Sequence, residues 1–286
     1  MALNSVDDQY KGCRKNMADL VKKKYLNEEM SNSKFANGWK HAEDNYKPPG
    51  DDLTKNHSIA IYVYTNSDLV KKKYLNEEMS NSKFANGWKH AEDNYKPPGD
   101  DLTKNHSIAI YVYTNSGFGV YKEFNEADRK DKKEYKNKTY KWYSLHFLLT
   151  DAIQILKKKQ KKCYTTYRGT DLEFIQNVQK KKVRFGSFTS SSINRNITKF
   201  FGNVSCFEIY TCEGAEVSKY SKLPREREVL IPPYETFKVT AVKTKGQRGA
   251  WCDTVYTLKS SGKRSDLNCA LFKKPAKTII RYYAEH

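Results

Sequence analysis

Two glutamates separated by a single residue, Glu226 and Glu228, are the side chains of this sequence whose type and spacing best suit chemistry. They precede a short apolar segment, Val229 to Pro233, with the composition of a strand. In an extended chain alternate side chains point to the same side, so the two carboxylates would lie on one face about 6 to 7 Å apart. Like charges on one face repel, and a chain seldom places them there for stability alone. The pair is therefore a candidate catalytic site, with a solvated strand edge as the alternative.

The composition is that of a globular protein with a strongly basic surface. A chain of 286 residues can bury a substantial core, in one large domain or two small ones. The formal net charge of +19 raises the question of a nucleic-acid or other anionic partner. However, the lysines form short scattered runs, and the sequence has no recognisable nucleic-acid module and no interleaving of basic and aromatic residues. We therefore expect a solvated surface and no nucleic-acid partner; a basic polyanion-binding protein remains an alternative.

Neither a membrane span nor a metal site is expected from the sequence. No run approaches 18 apolar residues, and the first residues lack the basic and apolar regions of a signal peptide. The six cysteines form no Cys-x-x-Cys pair, and no histidine stands at zinc-ligand spacing from them. An even number of scattered cysteines fits either long-range disulfides or free buried thiols. The cysteines are Cys13, Cys163, Cys206, Cys212, Cys252 and Cys269.

A perfect tandem repeat occupies the first part of the chain: residues 19–67 recur without substitution as 68–116. Each copy predicts a polar helix at its start, an aromatic segment around Trp39 or Trp88, a Pro-Pro-Gly-Asp turn, and a strand at 59–64 or 108–113. Two copies are too few for a solenoid. Perfect identity indicates a recent duplication or an error in the assembled gene, so we expect one copy to be surplus to the fold.

After the repeat, the pattern changes from helical to strand-rich. Apolar residues from Trp142 to Leu156 recur at three- and four-residue spacing, which predicts an amphipathic helix of about four turns. Short strands are predicted around 163–167, 183–188, 207–210, 229–231, 237–242 and 255–258. Helices are predicted at 171–179 and from the serines at 190–192 toward Phe200 and Phe201. Helices followed by strands indicate an α+β fold with antiparallel pairing.

Three motifs in this order resemble a known enzyme family. They are Tyr167-Arg168-Gly169-Thr170, Phe188-Thr189-Ser190-Ser191-Ser192, and Glu226-Arg227-Glu228 with its Val-Leu-Ile-Pro-Pro-Tyr-Glu-Thr-Phe continuation. Together they resemble the Arg, Ser, Glu-x-Glu signature of the arginine-specific mono-ADP-ribosyltransferases of animal cell surfaces. The resemblance implies a single domain over 1–286 with its catalytic core at about 117–275. Its implied fold is an N-terminal helical part followed by a mostly antiparallel, two-sheet β core.

The resemblance also implies a reaction and residue roles. The substrate would be NAD, and ADP-ribose would pass to arginine side chains of proteins or to small guanidino compounds with release of nicotinamide. Glu228 would stabilise the positive charge that develops on the ribose, and Glu226 would hold and deprotonate the acceptor guanidinium. Arg168 would bind the pyrophosphate or ribose and Ser190 the nicotinamide ribose while orienting Glu228. Gly169 would present its backbone to the nicotinamide amide, and Phe201 would stack on the ring.

Several further expectations come with the resemblance. It implies disulfides Cys13–Cys269 and Cys163–Cys212, which leaves Cys206 and Cys252 as a third pair. It implies an extracellular or cell-surface location, although the sequence shows no signal peptide and no lipid-anchor tail. Net hydrolysis of NAD, with water in place of the acceptor, is an alternative reaction. The alternatives for the single residues are structural: a surface arginine at Arg168, a helix-capping serine at Ser190 and a core phenylalanine at Phe201.

Overall fold

The computed structural model of the protein describes residues 2–26 and 83–272. Most helices of this part precede the strands. The helices are α1 (Arg14–Leu20), which continues as a π-helical turn over Val21–Tyr25, α2 (83–94), α3 (Lys104–Thr114), α4 (Val120–Lys130), α5 (Lys132–Lys136), α6 (Tyr143–Gln160) and α7 (Arg195–Thr198). Three-residue 3-10 turns lie at Ser116–Phe118, Pro224–Glu226 and Ala270–Phe272. The predicted order of helices and then strands is confirmed.

The strands form one continuous eight-stranded sheet. They are β1 (Tyr164–Thr170), β2 (Lys182–Val183), β3 (Thr189–Ser192), β4 (Ser205–Thr211), β5 (Ala215–Glu216), β6 (Glu228–Ile231), β7 (Glu235–Thr244) and β8 (Thr254–Lys263). Their order is β2-β7-β8-β4-β1-β3-β6-β5, and all neighbours pair antiparallel except β4 and β8.

The expectation of two sheets is not met, because β1 pairs on both of its edges. Along β4 it pairs over its whole length, but with β3 it shares only the register pair of Tyr167 and Ser192. This single pair connects a five-stranded part to a three-stranded part. The core consists of two separate hydrophobic clusters, and neighbouring residues of β6 belong to different ones: Leu230 packs with the helices and Ile231 with residues of β4, β7 and β8.

The strand predicted at 108–113 is wrong, because these residues lie within helix α3. Every residue from His106 to Tyr113 is buried, so the helix has no exposed polar face and its sequence shows no amphipathic period. The preceding Thr103 begins the helix through a capping box with His106. The matching strand predicted at 59–64 lies outside the described residues.

Of the two other short helices predicted, one is absent and the other begins later than expected. Residues 171–179 form irregular turns, with Leu172 and Ile175 exposed to solvent, so no apolar face holds them as a helix. The carbonyl oxygen of Phe174 instead accepts a hydrogen bond from the Tyr256 hydroxyl at 2.7 Å. The serines at 190–192 belong to strand β3 rather than to the start of a helix, and Asn194 caps the helix that follows.

The helix predicted from Trp142 to Leu156 is confirmed as α6, which packs at the centre of the larger cluster.

The first and last described segments lie next to each other in the fold. Buried Asp7 accepts hydrogen bonds from the backbone of Asp266 and Leu267, each at 3.0 Å, and pairs with buried Arg184. All three expected disulfides are confirmed: Cys13–Cys269, Cys163–Cys212 and Cys206–Cys252.

Candidate active site

A pocket open to solvent, about 350 Å³ in volume, lies where β1, β3 and the start of β6 meet. The pocket brings together every site residue that the sequence predicted. Its lining residues are Tyr167, Arg168, Gly169, Ser190, Ser191, Ser192, Ile197, Thr198, Phe201, Glu226 and Glu228.

The two glutamates line one pocket, but not through the extended conformation predicted for them. Glu226 ends a 3-10 turn, Arg227 adopts the left-handed conformation with φ of 47° and ψ of 50°, and only Glu228 begins strand β6. A non-glycine residue in this conformation is strained and persists where the surrounding structure fixes it. Here the carbonyl oxygen of Arg227 accepts a hydrogen bond from Ile193 N at 3.2 Å. The backbone reversal at Arg227 therefore puts both carboxylates at the pocket.

Glu228 is a buried acid at the pocket, not part of a solvated strand edge. Its side chain is almost fully buried, and its Oε1 has no hydrogen-bond partner among the described residues. Burial raises the pKa of Glu228 to about 7, and the charge of Glu226 adds to the increase. The Ser190 hydroxyl, through hydrogen bonding, and the charge of Arg168 oppose it. Near neutral pH this carboxyl is thus poised between its two protonation states.

Glu226 differs from Glu228 because it is only partly buried. Burial raises its pKa as well, without a charged partner among the causes. The hydroxyl of Ser192 donates a 2.6 Å hydrogen bond to the backbone carbonyl of Glu226 and accepts one from Asn194 N at 2.9 Å. Strand β3 therefore holds the turn that carries Glu226, while the carboxylate itself can reach an incoming group.

Arg168 and Ser190 are linked directly. The guanidinium Nη1 of Arg168 donates to the backbone carbonyl of Ser190 at 2.7 Å. Burial lowers the pKa of Arg168, and the nearby Glu228 carboxylate counters this effect. The alternative of a surface arginine at the end of a strand is therefore wrong: Arg168 lies within β1 and lines the pocket.

Gly169 packs closely against the backbone on either side of Phe201, at Thr198 and Gly202. A Cβ at Gly169 would stand 2.4 Å from the carbonyl oxygen of Gly202 and 2.7 Å from that of Thr198. Only glycine fits there, which is a structural reason that the sequence did not reveal. Phe201 lines the pocket and is 54% exposed, so the alternative of a core phenylalanine is wrong.

Five of the lining residues were not predicted as site residues. Tyr167, Ser191 and Ser192 stand in the arginine and serine motifs, whereas Ile197 and Thr198 come from the short helix α7. No sequence pattern marks Ile197 or Thr198; the carbonyl oxygen of Thr198 lies close to Gly169 at the pocket. Within residues 2–26 and 83–272 there is no group of three metal-ligating side chains, and no helix there is long and apolar enough to cross a membrane.

Comparison with known families assigns the chain. The sequence pattern of the family described as NAD:arginine ADP-ribosyltransferase matches residues 1–83 and 70–266. The chain belongs to this family. The two matches overlap at 70–83, so part of the duplicated region is matched twice. The sequence resemblance is therefore confirmed at the level of the family.

Named relatives are similar over most of their length. The chicken (Gallus gallus) NAD(P)(+)--arginine ADP-ribosyltransferase 2 is 31% identical over 281 residues, which cover 96% of this chain and 72% of the relative. The mouse (Mus musculus) GPI-linked NAD(P)(+)--arginine ADP-ribosyltransferase 1 is 30% identical over 294 residues, covering 96% and 73%.

The fold is similar to that of a solved family member. The crystal structure of the eucaryotic mono-ADP-ribosyltransferase ART2.2 aligns with a TM-score of 0.61 and 26% identity, covering 95% of this chain and 97% of that one. A variant of the same enzyme, solved in complex with NAD, aligns with a TM-score of 0.61 and 25% identity, covering 96% and 98%.

Proposed function

We propose that this protein transfers ADP-ribose from NAD to the guanidinium group of arginine side chains and releases nicotinamide. One observation carries the proposal: the buried carboxyl of Glu228, one oxygen of which has no hydrogen-bond partner among the described residues, shares a pocket with a partly buried arginine and with a second, more accessible glutamate. The relatives' names support the same reaction, since they are arginine ADP-ribosyltransferases.

The pocket fits the reactive end of NAD. An unpartnered buried carboxyl oxygen is costly, and a ribose hydroxyl from a substrate is a suitable donor to it. Arg168 supplies a positive charge for the pyrophosphate or the ribose. Its guanidinium also fixes the backbone of Ser190, so that the Ser190 hydroxyl faces Glu228 and the nicotinamide ribose.

Glu228 is assigned to the donor. The bond that breaks joins the ribose C1 to the nicotinamide nitrogen, and positive charge develops on the ribose as nicotinamide leaves. An ionised Glu228 in a largely water-excluded position stabilises this charge more strongly than it would in water. Gly169 and Phe201 are assigned to the nicotinamide, the first through its backbone and the second through its exposed ring face.

Glu226 is assigned to the acceptor. It is the more accessible carboxylate, and a carboxylate matches the planar, forked donors of a guanidinium. As a base it takes the proton lost when the guanidinium nitrogen attacks the ribose. Hydrolysis of NAD needs only water at this place, and a built acceptor base therefore favours transfer over hydrolysis.

An extracellular location is part of the proposal. Three disulfides tie together distant parts of the described chain, and structural disulfides persist in oxidising compartments. The mouse relative named above is GPI-linked, which fits the same compartment.

The test separates the two glutamates. With labelled NAD and a small guanidino acceptor, Glu228→Gln should lower both nicotinamide release and transfer by about 100-fold or more, the usual loss when a charge-stabilising group is removed. Glu226→Gln should lower transfer by a similar factor while NAD hydrolysis persists. Glu173→Gln, at an exposed glutamate away from the pocket, is the matched control and should behave as the native protein. Undiminished transfer by Glu228→Gln would refute the proposal.

A further inference from the structure

Tyr113, from helix α3, lies beneath the pocket rather than in its lining. Its side chain is 3% exposed. The hydroxyl donates to the backbone carbonyl of Phe188 at 3.1 Å and accepts a hydrogen bond from Asn125 Nδ2 at 3.1 Å. Its ring meets those of Phe124 and Phe188 edge to face, with centroids 6.0 and 6.2 Å apart. The hydroxyl is thus held in one position by packing and by two hydrogen bonds.

The carbonyl that Tyr113 holds lies directly before strand β3, the strand that carries Ser190. Arg168 holds the same strand from the pocket through the carbonyl of Ser190. From β3 the contacts continue to the glutamates: the hydroxyls of Ser191 and Ser192 donate to the carbonyls of Val229 and Glu226 at 2.9 and 2.6 Å. The position of β3 therefore sets the position of both glutamates.

The Tyr113 hydroxyl is also close enough to the pocket to interact with its charges. Burial raises the pKa of Tyr113 above the ordinary tyrosine value of 10.0, and the negative charge of Glu228 adds to the shift. Hydrogen bonding with Asn125 and Ser190 and the charge of Arg168 oppose it. The hydroxyl therefore keeps its proton and remains a donor throughout the working pH range.

We propose that Tyr113 is a positioning residue for NAD cleavage, whose hydroxyl holds the start of β3 so that Ser190 stays in place against Glu228. The inference rests on the proposed function and adds a component to it: the residue beneath the pocket comes from the second copy of the repeat, at 68–116. The corresponding tyrosine of the first copy, Tyr64, has the same sequence on both sides and is a natural control, because Tyr113 already occupies the position beneath β3.

The experiment compares Tyr113→Phe with Tyr64→Phe in the full chain. Tyr113→Phe keeps the ring and removes only the hydroxyl. It should lower kcat for NAD cleavage about tenfold, the effect of about one hydrogen bond, with little change in KM. Because Ser190 normally lowers the pKa of Glu228, the rising limb of the pH profile should move to higher pH. Tyr64→Phe should match the native protein, and the double variant should match Tyr113→Phe.

A substitution in the same core separates positioning from general destabilisation. Phe124 packs against Tyr113 and is fully buried but makes no hydrogen bond to β3, so Phe124→Leu should lower the melting temperature without moving the pH limb. Unchanged kcat and pH limb in Tyr113→Phe, an equal loss in Tyr64→Phe, or the same limb shift in Phe124→Leu would each overturn the inference. Failure of the proposed function shows separately, as activity retained by Glu228→Gln.

Discussion

The raised pKa of Glu228 predicts how NAD cleavage depends on pH. If the ionised carboxylate stabilises the charge on the ribose, kcat/KM for NAD follows the ionised fraction of Glu228 in the free enzyme. With a pKa of about 7, this fraction falls from roughly nine tenths at pH 8 to roughly one tenth at pH 6. We therefore expect kcat/KM to fall about tenfold between these values, where an ordinary glutamate would give almost no change.

The same shift predicts an effect on stability with a defined sign. The pKa of Glu228 is higher in the folded protein than the 4.5 of an unperturbed group, so the folded state binds the proton more tightly. The stability that the protonated group contributes is complete below pH 4.5 and is lost as the pH rises through 7. The difference of about 2.5 pKa units amounts to at most about 3 kcal/mol at pH 8. Glu228→Gln should therefore unfold at a higher denaturant concentration than the native protein at pH 8, and near the same concentration at pH 4.5.

Two assays on the same preparations test the reasoning. Nicotinamide release without acceptor, measured from pH 5.5 to 8.5, gives the activity limb, which is the rise of kcat/KM for NAD with pH. Urea unfolding of the native and Glu228→Gln proteins gives the difference in their free energies of unfolding. Glu226→Gln should keep NAD hydrolysis, because hydrolysis does not use the acceptor base. Its activity should rise at a lower pH than that of the native protein, because the charge of Glu226 raises the pKa of Glu228. A flat activity profile, together with a stability difference that is independent of pH, would show that Glu228 is an ordinary ionised glutamate and would refute the argument.

Two further predictions concern the fold. Asp7→Ala should lower the free energy of unfolding by about 3–5 kcal/mol, because it leaves the buried charge of Arg184 without its partner. The control in urea unfolding is Lys130→Ala, which removes an exposed ion pair within a helix and should lower the free energy of unfolding by less than about 1 kcal/mol. A loss at Asp7 as small as the control's would contradict the buried pair. Deleting residues 27–75 gives the same sequence as deleting either whole copy of the repeat and retains every described residue, so melting temperature and NAD cleavage should be preserved. Loss of both would show that one copy is not surplus.

The sequence identified the components of the pocket better than their local conformation. The glutamates were predicted from residue type and spacing, and Arg168 and Ser190 from the resemblance of three motifs in a fixed order to a known family; all four residues line the pocket. The conformation at Arg227 could not be found in this way, because nothing in a Glu-Arg-Glu segment demands a positive φ in place of a strand. The turn there is imposed by contacts from other elements, such as that between Ile193 N and the Arg227 carbonyl.

Helix α3 shows a second limit of the sequence. Its run Ile108 to Tyr113 is rich in β-branched and aromatic residues, which favour strands in isolation. Burial on every side replaces the amphipathic pattern that would have indicated a helix, and the cap at Thr103 was the remaining local signal. Because residues 108–113 were predicted as a strand, nothing in the sequence was a reason to expect the Tyr113 hydroxyl beneath β3.

Helix α3, which supports the pocket through Tyr113, belongs to the second copy of the repeat. The described residues include 19–26 from the first copy and 83–116 from the second, and these are different parts of the repeat. Each position of the repeat therefore appears at most once in the described fold. Since the copies are identical, packing energy alone gives no preference for Tyr113 over Tyr64. The copies differ in the chain that follows them: α3 of the second copy leads directly into the 3-10 turn that begins at Ser116 and then into α4. Continuity with the chain that follows the repeat, rather than side-chain chemistry, therefore distinguishes the copy that supports the pocket.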